Sequence, residues 1–193
     1  LDLDNEFNIE ELVKTITTTT TEYLIFIDDS IEEPDKYREI FYKLKISTDK
    51  DIVRLIINSR GGFVSSLIQL YNALIDTKAK TISEIYTAYS AAADLSFSCD
   101  EVIVKEFAGI MIHESSSGSI GKISDMKPQV EFLNAENIEI TNKIYKGFLT
   151  NKEIEEIKKG REIWMRKDEI EKRLKNWKPI RKREINERKK IKS

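Results

Sequence analysis

Ser90 lies in the run Ala88-Tyr89-Ser90-Ala91-Ala92-Ala93, and His113, the single histidine of the chain, closes Ile110-Met111-Ile112-His113. Upstream, a glycine pair sits in Ile57-Asn58-Ser59-Arg60-Gly61-Gly62-Phe63-Val64. In that order the three pieces offer a nucleophile, a base and a backbone-amide site for an oxyanion. Acyl transfer needs all three: a base to take the hydroxyl proton, and pre-aimed donors for the tetrahedral oxyanion. Histidine is the side chain whose ordinary titration falls near neutrality. Ser90 at a strand-to-helix junction would expose its Oγ, with the positive end of the next helix beneath the reacting atoms. The N–H groups of Ala91 and Gly62 are the natural oxyanion donors, glycine because it lacks a Cβ that would block substrate. The same residues fit a helix-capping serine and a structural histidine equally well, so residue type alone leaves the question open.

The elements needed to position these residues are legible as hydrophobic patterns. Phe7, Ile9, Leu12, Val13 and Ile16 form an early amphipathic piece, followed by a threonine run, Thr17 to Thr21, that favours extended chain. Strands are expected over 23–27, 52–57, 81–86, 101–104 and 109–112, where short apolar runs are bounded by charged or glycine residues. Pro34 opens a helix through about Leu44, and Val64, Leu67, Ile68, Tyr71, Leu74 and Ile75 give a second helix with one inward face. A small-residue helix over 91–98 follows Ser90. A long helix is expected over about 125–148, and Thr150-Asn151-Lys152-Glu153 has the form of a capping box that starts another. Strands alternating with helices imply an α/β fold with a mainly parallel sheet.

With 193 residues, 40% of them hydrophobic, the chain can bury one domain core. No apolar stretch reaches the length of a membrane span, and the acidic, polar start carries no signal-peptide pattern; a cytoplasmic location and no membrane partner are expected. Cys99 stands alone, so it forms neither an internal disulfide nor a cysteine metal site, and its apolar surroundings suggest a buried structural thiol. No cofactor and no metal are expected. The net charge of -2 is uneven: from Lys172 onward eleven Lys or Arg face two Glu. A solvated, frayed helical tail is the expected reading of that run. Nucleic acid is not expected as a partner, since only Trp177 interleaves the positive charges.

Taken together, the motifs resemble those of the ClpP-like serine peptidases, the proteolytic-subunit family of the Clp protease, whose fold is crotonase-like. Residues 57–62 resemble the family's I-N-S-P-G-G turn, 88–92 its A-A-S-M-A/G nucleophile turn, and 111–113 its M-I-H. Ser119-Ile120-Gly121-Lys122-Ile123-Ser124-Asp125 resembles the G-x-A-x-D stretch that opens a protruding handle helix. The resemblance spans about 23–169. It implies an endopeptidase of stacked homo-oligomeric rings, fed unfolded polypeptides by a Clp-type ATPase and binding substrate backbone as an added strand beside His113. By position, Ser90 is then the nucleophile, His113 the general base, and Gly62 and Ala91 the oxyanion donors. Three segments are expected: an N-terminal piece over 1–21, the peptidase domain over 22–171 and the basic tail over 172–193.

Departures from the family pattern fall at defined places. Arg60 replaces a proline, Tyr86 a glycine, and Asp94 an apolar residue; a helix-surface or interface position is expected for Asp94. The orienting acid of the family's I-x-x-D-x-x-R-D motif coincides with Gly160 in Ile157-Lys158-Lys159-Gly160-Arg161-Glu162-Ile163-Trp164. A two-residue deletion would give that role to Glu162, with Glu156 a second candidate. The family's closing E-A-x-x-Y-G-L-V-D survives only at its start. A catalytically inactive ring subunit is the alternative reading, and an acyl-CoA enzyme of the same fold would need carboxylates in place of the Ser–His pair.

Overall fold

Four apolar segments that alternate inward and outward residues pair as parallel strands: β1 (Glu22–Ile27), β2 (Ile52–Ser59), β3 (Lys80–Tyr89) and β4 (Glu101–Ile112). They belong to a computed structural model that describes residues 19–115 and 122–192. A fifth strand, β5 (Ile163–Arg166), adds to the free edge of β4 antiparallel, which gives the order β1-β2-β3-β4-β5. In β2 the residues Val53, Leu55, Ile57 and Ser59 are buried while their neighbours are not, as a half-covered strand requires.

Each parallel step needs a crossover, supplied by α1 (Arg38–Ile46), α2 (Val64–Asp76) and α3 (Ala91–Ser98). Because the strands follow one another in sequence order, right-handed crossovers stack all three helices on a single face of the sheet. Leu44 from α1, Leu67, Leu70 and Leu74 from α2, and Leu95 and Phe97 from α3 fill that layer. The other face stays open and carries ion pairs: Arg54 meets Glu22 at 2.6 Å and Glu84 at 2.7 Å, and Lys105 also reaches Glu84.

After β4 come α4 (Ile123–Ile144), α5 (Asn151–Ile157) and α6 (Lys167–Lys192). Helix α4 carries Val130 and Phe132 largely exposed, 43% and 66%, as a protruding helix does. Thr150 caps α5 with a complete capping box: Glu153 N–H donates to Thr150 Oγ1, and Glu153 Oε2 accepts from Thr150 N–H. Among the described residues no helix is long and apolar enough to cross a membrane. The early amphipathic piece and residues 116–121 lie outside the described residues.

Two expectations change in a physically informative way. The segments 101–104 and 109–112 form one strand, kinked where Phe107 adopts φ 61° and the β3 pairing jumps from Ile85↔Val104 to Thr87↔Gly109. A bulge of that kind bends a strand without ending it. The basic run from Lys172 is an ordered continuation of α6: Leu174, Trp177 and Arg181 are buried against the domain, and Lys172, Lys175, Lys178 and Lys182 point outward. Its apolar positions recur at helical spacing, which the density of charge conceals.

Arg173 on α6 clamps α5, with Nη1 and Nη2 on the two oxygens of Glu153 at 2.8 and 2.7 Å and Nη2 also on Glu169 at 2.6 Å. The guanidinium holds the Glu153 carboxyl down to about 2, against 4.5 ordinarily, and the Thr150 cap adds to the effect. A depressed carboxylate contributes stability that is present above its unfolded value and lost as pH falls through the folded one. Urea unfolding is therefore expected to show a loss on acidification from pH 4.5 toward 2 that Arg173→Gln largely removes. At neutral pH the same substitution lowers stability by on the order of 1–2 kcal/mol, since the pair is four-fifths buried.

Candidate active site

Ser90 stands where β3 turns into α3, with φ 56° and ψ −132°. That conformation is strained for any residue with a Cβ, and only surrounding structure can hold it. The holding contact is a hydrogen bond from Ser90 N–H to the carbonyl of Met111 on β4, 2.8 Å. Although Ser90 occupies the N-cap of α3, its side chain makes no capping hydrogen bond. Instead Ser90 Oγ lies 2.7 Å from His113 Nε2. The capping alternative raised by the sequence is thereby excluded. His113 follows directly on β4 and is half-buried. For Nε2 to accept the Ser90 proton, the neutral ring must carry its own proton on Nδ1.

The two expected oxyanion donors lie on adjoining segments. Gly62 forms a parallel bridge with Ile31 through its neighbours: Ile31 N–H donates to Gly61 O, and Phe63 N–H to Ile31 O, both 2.8 Å. In such a bridge the flanking groups face the partner, so the N–H of Gly62 itself is directed to the opposite side. A Cβ on Gly62 would stand 2.1 Å from the carbonyl oxygen of Ile31, and one on Gly61 2.8 Å from Ser90 Cβ. No side chain fits at either position, and this close approach brings the glycine turn against the nucleophile turn. Ala91 opens α3, where the first-turn N–H groups have no acceptor within the helix.

The acid expected to orient His113 is placed differently. Register along β4 and β5 runs from Gly109↔Arg166 to Ile112↔Ile163, so Glu162 comes opposite His113 one step beyond the last pair. Its carboxylate does not reach the ring: Oε2 accepts the indole N–H of Trp164 at 2.8 Å, and the residue is exposed. Glu156 is engaged elsewhere, with Arg161 at 2.9 Å and Lys159 at 3.3 Å. Among the described residues no carboxylate is hydrogen-bonded to His113. Trp164 packs edge-on against Tyr89, the residue before the nucleophile, at 5.0 Å between ring centres.

The family model of the Clp protease matches residues 8–172. The chain belongs to the Clp protease family. No curated protein matches it in sequence. As a member of that family it is a peptidase with a mainly parallel α/β fold, as its motifs imply.

Around the Clp-type site, support comes from residues that the motifs did not single out. Phe97 on α3 packs at 4.3 Å from Phe148, 5.2 Å from Tyr145 and 5.6 Å from Trp177, ring centre to ring centre. Buried Arg181 donates to the carbonyls of Cys99 (3.1 Å) and Ser98 at the C-terminal end of α3. Positive charge at that end is favourable, and orphan carbonyls are satisfied. The Cys99 thiol is pushed up to about 12 by burial, so it is a structural group and not a nucleophile.

Asp94, one turn after Ser90 and expected at a helix surface or an interface, is half-buried and has a partner within the chain. Its Oδ1 accepts the hydroxyl of buried Tyr145, at the end of α4, over 2.6 Å. Burial raises the Asp94 carboxyl to about 7 from 3.8, and the Tyr145 hydrogen bond opposes the rise. A raised acid holds its proton in the folded chain where the unfolded chain has lost it. Its contribution is complete below about pH 4 and disappears as pH rises through about 7. Asp94→Asn keeps an acceptor for Tyr145 but never ionises. Its thermal midpoint should match wild type near pH 4 and exceed it at pH 8 by about 2–4 °C, on the order of 1 kcal/mol given the partial exposure of the residue. A gap independent of pH contradicts this assignment.

Proposed function

We propose that this Clp-family peptidase cleaves unfolded polypeptides by a serine mechanism, with Ser90 as nucleophile and His113 as general base. The observation that carries the reading is the 2.7 Å contact between Ser90 Oγ and His113 Nε2 beside the glycine turn. His113 takes the hydroxyl proton as Ser90 attacks the scissile carbonyl. The N–H groups of Gly62 and Ala91 receive the oxyanion, and His113 returns the proton to the departing amine. Water then repeats the cycle on the acyl-enzyme.

Glu162 is the acid we assign to orient His113. Strand register supports it, since Glu162 comes opposite His113 one step beyond the last β4–β5 pair. Catalytic hydrogen bonds often tighten only when substrate is bound. Assembly into stacked homo-oligomeric rings is part of the same reading. It is supported by the exposed apolar residues Val130, Phe132 and Ile138 on α4, which a partner subunit would cover. The proposal extends to delivery of substrate by a Clp-type ATPase and to a cytoplasmic location. An inactive ring subunit is the competing reading, favoured by the Glu162–Trp164 bond.

Hydrolysis of an unfolded, fluorescently labelled protein by the assembled full chain separates the two. Ser90→Ala and His113→Ala should each lower kcat by about a thousandfold or more. Glu162→Gln should lower kcat by at least about tenfold with little change in KM. Turnover unaffected by Ser90→Ala overturns the serine mechanism, and turnover unaffected by Glu162→Gln removes that residue from it.

A further inference from the structure

A cleft of about 450 Å³ opens beside Gly62. Gly62 and Val64 form one wall, Ser115 another, and Leu133 and Glu136 of α4 the third, with Glu32 completing the lining. It therefore lies between the turn that abuts Ser90 and the segment that follows His113. A side chain of a peptide laid across the Ser90–His113 pair has this space beside it.

The walls set what that side chain can be. Exposed Phe63 and half-buried Val64 and Leu133 offer an apolar sleeve. Glu136 is half-buried, and among the described residues it forms no ion pair. An apolar side chain filling the cleft would strip water from that carboxylate and leave it without a hydrogen-bond partner. An acidic one would add like-charge repulsion. Lysine or arginine lays its methylene stem along the sleeve and brings its charged end to the carboxylate.

We infer that Glu136 is a specificity-determining residue that selects a basic side chain within two residues of the scissile bond. The inference rests on the peptidase reading above. It concerns binding, however, and so can be tested where no chemistry occurs.

The test uses the full-length, assembled Ser90→Ala protein and fluorescence anisotropy of labelled octapeptides. The set places a single lysine, norleucine or glutamate at each of the four central positions of an otherwise constant peptide. At one position lysine should bind about 10- to 100-fold more tightly than norleucine, and glutamate more weakly than either. In Ser90→Ala/Glu136→Gln the lysine advantage should shrink to about twofold. In Ser90→Ala/Glu136→Lys it should pass to glutamate, which no loss of folding could produce. Equal binding of lysine and norleucine peptides, a lysine preference that survives Glu136→Gln, or no peptide binding at all overturns the inference. Selective binding without hydrolysis by the Ser90-containing protein would instead overturn the serine mechanism and leave the selectivity standing.

Discussion

The site depends on a single strained turn. Ser90 is held at positive φ, a conformation that costs a residue with a Cβ roughly 1–3 kcal/mol. Contacts on several sides offset that cost. The hydrogen bond to Met111 ties the turn to β4, so the strand that carries His113 is also the strand that fixes the serine. Gly61 presses against Ser90 from the other side, at a distance no larger residue tolerates. Below, α3 is anchored through Phe97 in an aromatic cluster and through Arg181 at its last carbonyls.

Electrostatics around this turn follow from where acids are buried and where they are not. Asp94, on α3 one turn from Ser90, has Tyr145 as its hydrogen-bond partner, and burial raises its carboxyl to about 7. Glu162, just before β5, remains exposed, and its carboxylate accepts the indole N–H of Trp164. The acid assigned to orient the base thus directly precedes the four-residue edge strand.

What the sequence made legible was local. Strand β2, helix α2 and the capping box at Thr150 are each encoded within one window of residues, and they occur where their patterns place them. The Ser90–His113 meeting was legible too, because two neighbouring parallel strands that end together bring their C-terminal residues together. Features built from distant residues were not legible. Strand β5 is too short to declare itself and exists through pairing with β4. Tyr145 and Asp94 are 51 positions apart, and nothing in either local pattern announces the other. Trp177 and Arg181 are spaced as a buried helix face, but the surrounding lysines gave the segment the composition of a solvated tail.

A hydroxyl made nucleophilic by its neighbour is distinguished from an ordinary one by its reaction with a fluorophosphonate. The direct measurement is mass mapping of the adduct after brief exposure of the folded, assembled protein at neutral pH. The account predicts a phosphonyl group on Ser90 and on no other serine, with the rate falling about a hundredfold or more in His113→Ala. An unmodified Ser90, or equal labelling with and without the imidazole, would contradict it.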